Sequence, residues 1–254
     1  MSGSFITAFA MYSKIPMPQV EWNEKNLRYS LCFFPLIGAV IGALTAAVWA
    51  LAQLLSFGAF LRGALLAVVP LLVTGGIHMD GFLDTLDARG SHADRERKLE
   101  ILKDSRVGAF AVIGCCAYLL LYAAVWSEVT RAVLLPAALG FVLSRALSGI
   151  AVVSFRAARK DGLLVTFAAP AHRRIVRGVL LAVILLSCAG MIAANPVSGL
   201  CGAAAALAVF GWYRWFSYRE FGGITGDLAG YFLQVCELAV PAALVLGEKL
   251  AALA

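Results

Sequence analysis

Charge is the commodity this chain is shortest of. Asp, Glu, Lys and Arg together make up 14% of its 254 residues, whereas ordinary soluble domains carry about a quarter. With 61% of the residues hydrophobic, there is more apolar surface than one aqueous core can hide. A water-soluble globular domain is therefore excluded, and lipid is the implied solvent. Cysteine pairs are lacking too. Cys32, Cys115, Cys116, Cys188, Cys201 and Cys236 all lie in apolar runs and none forms a Cys-x-x-Cys pair. That argues against a disulfide framework or a thiolate metal site, and leaves the six as small hydrophobes. No cleavable leader is expected, because the apolar stretch Phe5 to Met11 runs straight into Lys14, Pro16 and Pro18. There is no internal repeat, low-complexity tract or separate soluble domain, so residues 1–254 read as a single membrane domain with no nucleic-acid partner.

What the chain does have is a series of apolar runs near the roughly 20 residues a spanning helix needs. They cover Leu31 to Leu55, Gly63 to Met79, Val107 to Trp126, Ala132 to Phe155, Gly178 to Ala194, Val197 to Phe216 and Asp227 to Leu246. Gly38 and Gly42 in the first have the Gly-x-x-x-Gly spacing that lets helices pack closely. The second run is short; as a re-entrant segment it would leave six spans. Of the 21 Lys and Arg, 17 fall in alternate segments, three in the others and Arg145 inside a span. Lys- and Arg-rich loops stay in the cytoplasm, which orients the N-terminus and the basic loops inward. The expected fold is an all-α polytopic membrane protein, a bundle of about seven transmembrane helices with cytoplasmic amphipathic or interfacial helices. One of these would start in a capping-box-like Ser91-x-x-Asp94 and run to about Lys103.

The second run opens into the most unusual stretch, Thr74-Gly75-Gly76-Ile77-His78-Met79-Asp80-Gly81-Phe82-Leu83-Asp84-Thr85-Leu86-Asp87. On a helix, Asp80, Asp84 and Asp87 point within about 60° of one another, with Met79, Phe82, Leu83 and Leu86 on the other side. Such an array is often a plain solvated face. Here it follows a Gly-Gly break at a membrane boundary, with Lys103 and Arg106 soon after. Crowded carboxylates in low dielectric repel strongly, so a metal or phosphate site is expected, and oxygen-only ligands favour Mg²⁺, Mn²⁺ or Ca²⁺ over Zn²⁺. Lys103-Asp104-Ser105-Arg106 at the start of the third span either anchors that helix at the interface or attracts a diphosphate. His78 is a candidate base or substrate contact, or a packed histidine facing away from the acids.

Polar residues inside a membrane are expensive, about 2.5–3.5 kcal/mol each for Asp, Lys or Arg at a helix centre. Arg145, Asp227, Gln234 and Glu237 therefore need partners or a polar cavity. Asp227, Gln234 and Glu237 share one face of the last span within about 80°, which makes a second acidic face. Arg145 and Glu237 could equally pair to stabilise the bundle. Taken together, these groups suggest metal-dependent phosphoryl transfer.

Three motifs in combination, Gly75 to Asp87, Glu100-Ile101-Leu102-Lys103-Asp104-Ser105-Arg106-Val107-Gly108 and Gly223-Ile224-Thr225-Gly226-Asp227-Leu228-Ala229-Gly230, resemble the signature of the cobalamin synthase (adenosylcobinamide-GDP ribazoletransferase) family over nearly the whole chain. The resemblance implies Mg²⁺-dependent joining of adenosylcobinamide-GDP to α-ribazole or its 5′-phosphate with release of GMP, at the cytoplasmic side of the bacterial inner membrane. Membrane lipid would surround the protein, and a homo-oligomer is allowed. It also implies that Asp80, Asp84 and Asp87 bind metal, with Asp104 or Asp227 completing the shell. Lys103, Ser105, Arg106 and Arg145 would hold the diphosphate, and His78, Asp227, Gln234 and Glu237 would contact substrate. Two departures stand out: Ala88 replaces the family's usual glycine, so the acidic helix should run one turn further, and Thr-Arg-x-Pro becomes Ser13-Lys14-Ile15-Pro16.

Two rival readings remain at this stage. A CDP-alcohol phosphotransferase would share Asp84-x-x-Asp87-Ala88-Arg89, but the second acidic half of that motif is missing. An ion-coupled transporter using Arg145 and Glu237 would predict inverted repeats, and none is visible.

Overall fold

The computed structural model describes residues 2–253, among which every regular element is helical. In chain order they are α1 (Ser2–Tyr12), α2 (Glu24–Leu27), α3 (Ser30–Leu54), α4 (Ala59–Thr74), α5 (Ile77–Gly90), α6 (Arg95–Ile101), α7 (Ala109–Ser127), α8 (Arg131–Ser154), α9 (Leu163–Ala168), α10 (Arg173–Ala194), α11 (Pro196–Glu220) and α12 (Gly226–Ala251). Three of the long helices start at side chains that satisfy free N–H groups. Thr130 caps α8, Asn195 caps α11 with Pro196 in its first turn, and Thr225 caps α12.

Six helices (α3, α7, α8, α10, α11 and α12) are long and apolar enough to cross a membrane. α4, with 16 residues, is about 24 Å long, yet it too returns the chain from one end of the bundle to the other. Its early Gly63 packs on Ala123 and Ser127 near the end of α7. At its far end the N–H of Lys14 donates to the carbonyl of Val73 at 2.7 Å. Seven antiparallel legs result. Leu72, Leu120, Leu185 and Leu186 are among many large apolar side chains left exposed on the outside, as a lipid-facing surface requires. The Gly-x-x-x-Gly face of α3 lies directly on α8. A side chain at Gly38 would collide with the Phe141 carbonyl, and one at Gly42 with that of Ala138.

The expected second span, Gly63 to Met79, is not continuous. It ends at Thr74, and Met79 belongs to the next helix. Gly75 and Gly76 both adopt left-handed backbone, with φ of 65° and 79°, a conformation that costs glycine little. Their N–H groups close α4 by donating to the Leu71 carbonyl. The chain then bends by 99° between α4 and α5. With α4 upright, α5 lies almost flat at the boundary and is not one of the spanning legs. It extends to Gly90, past Ala88 as the sequence suggests. The following helix is capped by Asp94, which accepts from the N–H of Arg97, and not by Ser91. Ser91 instead donates to the Ala88 carbonyl and finishes α5.

Candidate active site

α5 runs across the bundle at the end where α3, α7, α10 and α12 begin, the same end that carries the basic loops. Its seat on α12 depends on Gly81. A Cβ there would lie 2.7 Å from both the Cα and the carbonyl oxygen of Asp227. This contact lets the first turn of α12 reach α5 and brings Asp227 beside the acidic face formed by Asp80, Asp84 and Asp87. Further along, Phe82 stacks on Tyr231 with ring centroids 5.2 Å apart. Arg89 donates to the Tyr231 hydroxyl at 3.1 Å and lies over Phe216.

The four carboxylates have different surroundings. Asp80 is exposed and lines a cavity together with Asp227. Asp84 is half-buried, and its pKa is pushed up to about 7, first by burial and then by the negative charges of Asp80, Asp227 and Asp87. Asp87 already has partners on both oxygens: Oδ2 accepts from the N–H of Gly108 at 2.6 Å and Oδ1 from that of Ala111 at 2.8 Å. It therefore caps α7 from another helix, complementing the positive end of that helix dipole. Each oxygen keeps a further lone pair.

Asp104 does not join this group. It is held by Arg106 through both of its oxygens and by the Arg106 N–H, and these contacts lower its pKa to about 2. Arg106 itself is highly exposed. Lys103 reaches Asp161, which lines the same cavity as Asp80, at 3.5 Å. Lys103 and Arg106 thus flank the acidic group from the loop before α7, with Ser105 between them.

Arg145 occupies a different place from the one the resemblance implies. It is fully buried inside α8 and pairs with the equally buried Glu237 of α12 at 2.7 Å, while also donating to the Phe141 carbonyl. Its position behind the site suits a role in holding α8 and α12 in register. Gln234 is buried on the same stretch of α12, and its neighbour Leu233 faces the cavity.

The cavity measures about 230 Å³. Its charged and polar lining includes Asp80, Asp161, Asp227, Thr225 and Arg159, and much of the remainder is apolar. Arg159 was counted in the sequence only as a topology-setting charge. It enters the site through a non-local link. Ile224 pairs with the strand-like segment at Ala157, its N–H donating to the Arg156 carbonyl at 2.9 Å and its carbonyl accepting from Ala158 at 2.9 Å. One guanidinium nitrogen of Arg159 donates to the Leu99 carbonyl, and its Nε is buried without a partner.

Among the described residues no three Asp, Glu, His or Cys side chains converge as a ready-made metal cage. The donor set nevertheless fits a hard cation of the Mg²⁺ type, which takes oxygen ligands and is commonly held by one or two carboxylates plus substrate phosphates. Burial first, and then the neighbouring negative charges of Asp80, Asp227 and Asp87, raise the pKa of Asp84, and a bound cation would offset both effects.

A family model described as cobalamin-5-phosphate synthase matches residues 4–245. Among curated proteins, the adenosylcobinamide-GDP ribazoletransferase of Lachnoclostridium phytofermentans is 47% identical, over 95% of this chain and 92% of its own. Those of Clostridium perfringens strain 13 and Geobacillus thermodenitrificans are 35% and 32% identical, each over at least 90% of both chains. No solved structure matches.

Proposed function

Because the chain belongs to the cobalamin-5-phosphate synthase family, we propose that the carboxylates where α5 meets α12 form the centre at which its transferase chemistry takes place. The protein is an adenosylcobinamide-GDP ribazoletransferase acting in assembly of the cobalamin nucleotide loop. Its substrates are adenosylcobinamide-GDP and a ribazole, and the mechanism below is our reading.

A ribazole hydroxyl attacks the phosphorus joined to cobinamide, the bond from that phosphorus to the bridging diphosphate oxygen breaks, and GMP leaves. Asp80, Asp84 and Asp227 would hold Mg²⁺, which on binding supplies charge neutralisation for the diphosphate oxygens. Arg159, which lines the cavity near Asp227, attracts the phosphates, with Lys103, Ser105 and Arg106 at the rim. Asp87 keeps α7 seated on α5, which holds the rim loop at a fixed distance from the acids. Arg145 and Glu237 position α12, and hence Asp227, from below. The basic end of the bundle is taken as cytoplasmic under the positive-inside rule, so both water-soluble substrates reach the site without crossing the bacterial inner membrane.

The observation that carries this reading is the Gly81–Asp227 contact, which joins two distant acidic segments around one cavity. The test is to incubate the protein, purified in lipid nanodiscs, with adenosylcobinamide-GDP, α-ribazole 5′-phosphate and Mg²⁺ and to follow GMP. Release of GMP that EDTA stops is expected. Undiminished release in EDTA would remove the metal from the mechanism.

A further inference from the structure

The apolar part of the cavity has a character of its own. His78 lines it, is 5% exposed, and has a buried Nε2 without a hydrogen-bond partner. Two aromatic side chains frame that imidazole. The ring of Tyr12 lies nearly parallel to it with centroids 6.4 Å apart, and that of Phe34 stands edge-on at 6.0 Å. Leu233 from α12 and Leu164 and Val165 from α9 complete the enclosure, with Asp80 and Asp227 alongside. A buried polar atom without a partner is costly, and aromatic walls with one such atom suit a flat heteroaromatic ring. A lipid chain would leave Nε2 unsatisfied. A corrin macrocycle is far too large for about 230 Å³.

Resting on the transferase reading above, we infer that this cavity is the subsite for the bicyclic base of the ribazole acceptor, with the corrinoid donor left outside it. The base lies against the aromatic wall that Tyr12 and Phe34 form together, their ring centroids packed 4.4 Å apart. Its unsubstituted ring nitrogen accepts a hydrogen bond from Nε2–H of His78. Its ribose then projects toward Asp80 and Asp227, where the attacking hydroxyl is needed. His78 is in this account a residue that selects the acceptor and takes no part in the bond changes.

The experiment uses the full chain in nanodiscs and reads two substrates separately. Val165→Trp and Leu164→Trp each fill the cavity from the short helix at its edge. His78→Phe keeps a ring and removes the donor. Free α-ribazole, without corrinoid or metal, is titrated by calorimetry, and KM is measured for each substrate. Weakening of ribazole binding by about tenfold or more in the filled variants, and of similar size in His78→Phe, is expected, with the adenosylcobinamide-GDP KM unchanged. Unchanged ribazole affinity in the variants, or a shift confined to the corrinoid KM, overturns the assignment. A wild-type protein that binds ribazole but releases no GMP would instead count against the transferase reading. Monodisperse elution of each variant separates these outcomes from misfolding, and whichever filled variant folds carries the test.

Discussion

Replacing Gly81 with alanine probes the joint between α5 and α12 at its tightest point. The added methyl would lie 2.7 Å from the Asp227 backbone, where ordinary contact begins at 3.4 Å, so the first turn of α12 has to retreat by about 0.7 Å. Backbone atoms cannot swing aside as a flexible side chain can. Overpacking of this kind costs about 1–3 kcal/mol. The better helix propensity of alanine within α5 returns up to about 1 kcal/mol of that, so the protein should still fold with a modestly lowered Tm. Catalysis should suffer far more, because a misplacement near 1 Å can cost on the order of 10²-fold, and here it separates Asp227 from Asp80 and Asp84. GMP release in nanodiscs should therefore fall by somewhat less than about 10²-fold. Gly211→Ala, on α11 with nothing within 4 Å of its Cβ, is the matched control and should turn over normally. Wild-type turnover in Gly81→Ala would refute the claim that the approach of α12 builds the site.

Three further outcomes follow from the same geometry. Arg145→Met leaves Glu237 buried without its partner and should destabilise the bundle by about 3–5 kcal/mol, whereas the double change Arg145→Met, Glu237→Met should recover much of that loss in thermal unfolding. Burial and the neighbouring carboxylates push the pKa of Asp84 up to about 7, so a metal competes with a proton there. The Mg²⁺ concentration for half-maximal rate should therefore rise as pH falls from 8 to 6 and fall again on return; a requirement flat with pH, or normal rates in Asp84→Asn, would argue against Asp84 as a ligand. A cysteine placed at Arg95 should react with a membrane-impermeant maleimide only from the cytoplasmic face, and labelling of intact cells would invert the topology.

Hydropathy and charge bias were enough to read the helical class, the near-sevenfold crossing and the common end of the acidic segments, because each leaves a long or repeated trace in the chain. The Gly-Gly break after Val73-Thr74 marked the start of the acidic helix. Its 99° turn was hidden, since two left-handed residues carry no periodicity. The spacing of Asp80, Asp84 and Asp87 gave them one face but could not tell them apart. Asp87 is drawn off by the start of α7, a partner that only the tertiary fold supplies. Arg159 went unnoticed for the same reason, since it reaches the cavity through backbone pairing with Ile224, a residue far along the chain. Arg145 was visible as an intramembrane charge, and its pairing with Glu237 was one of two readings open at that stage. Complete burial decides in favour of the pair.

The pair also restricts how the chain can change over time. Because neither partner reaches water, losing one charge is costly while the other remains, and losing both together is not. Positions 145 and 237 should therefore behave as a single inherited unit, with relatives carrying both charges or neither, and with the helices that bear them drifting only in concert.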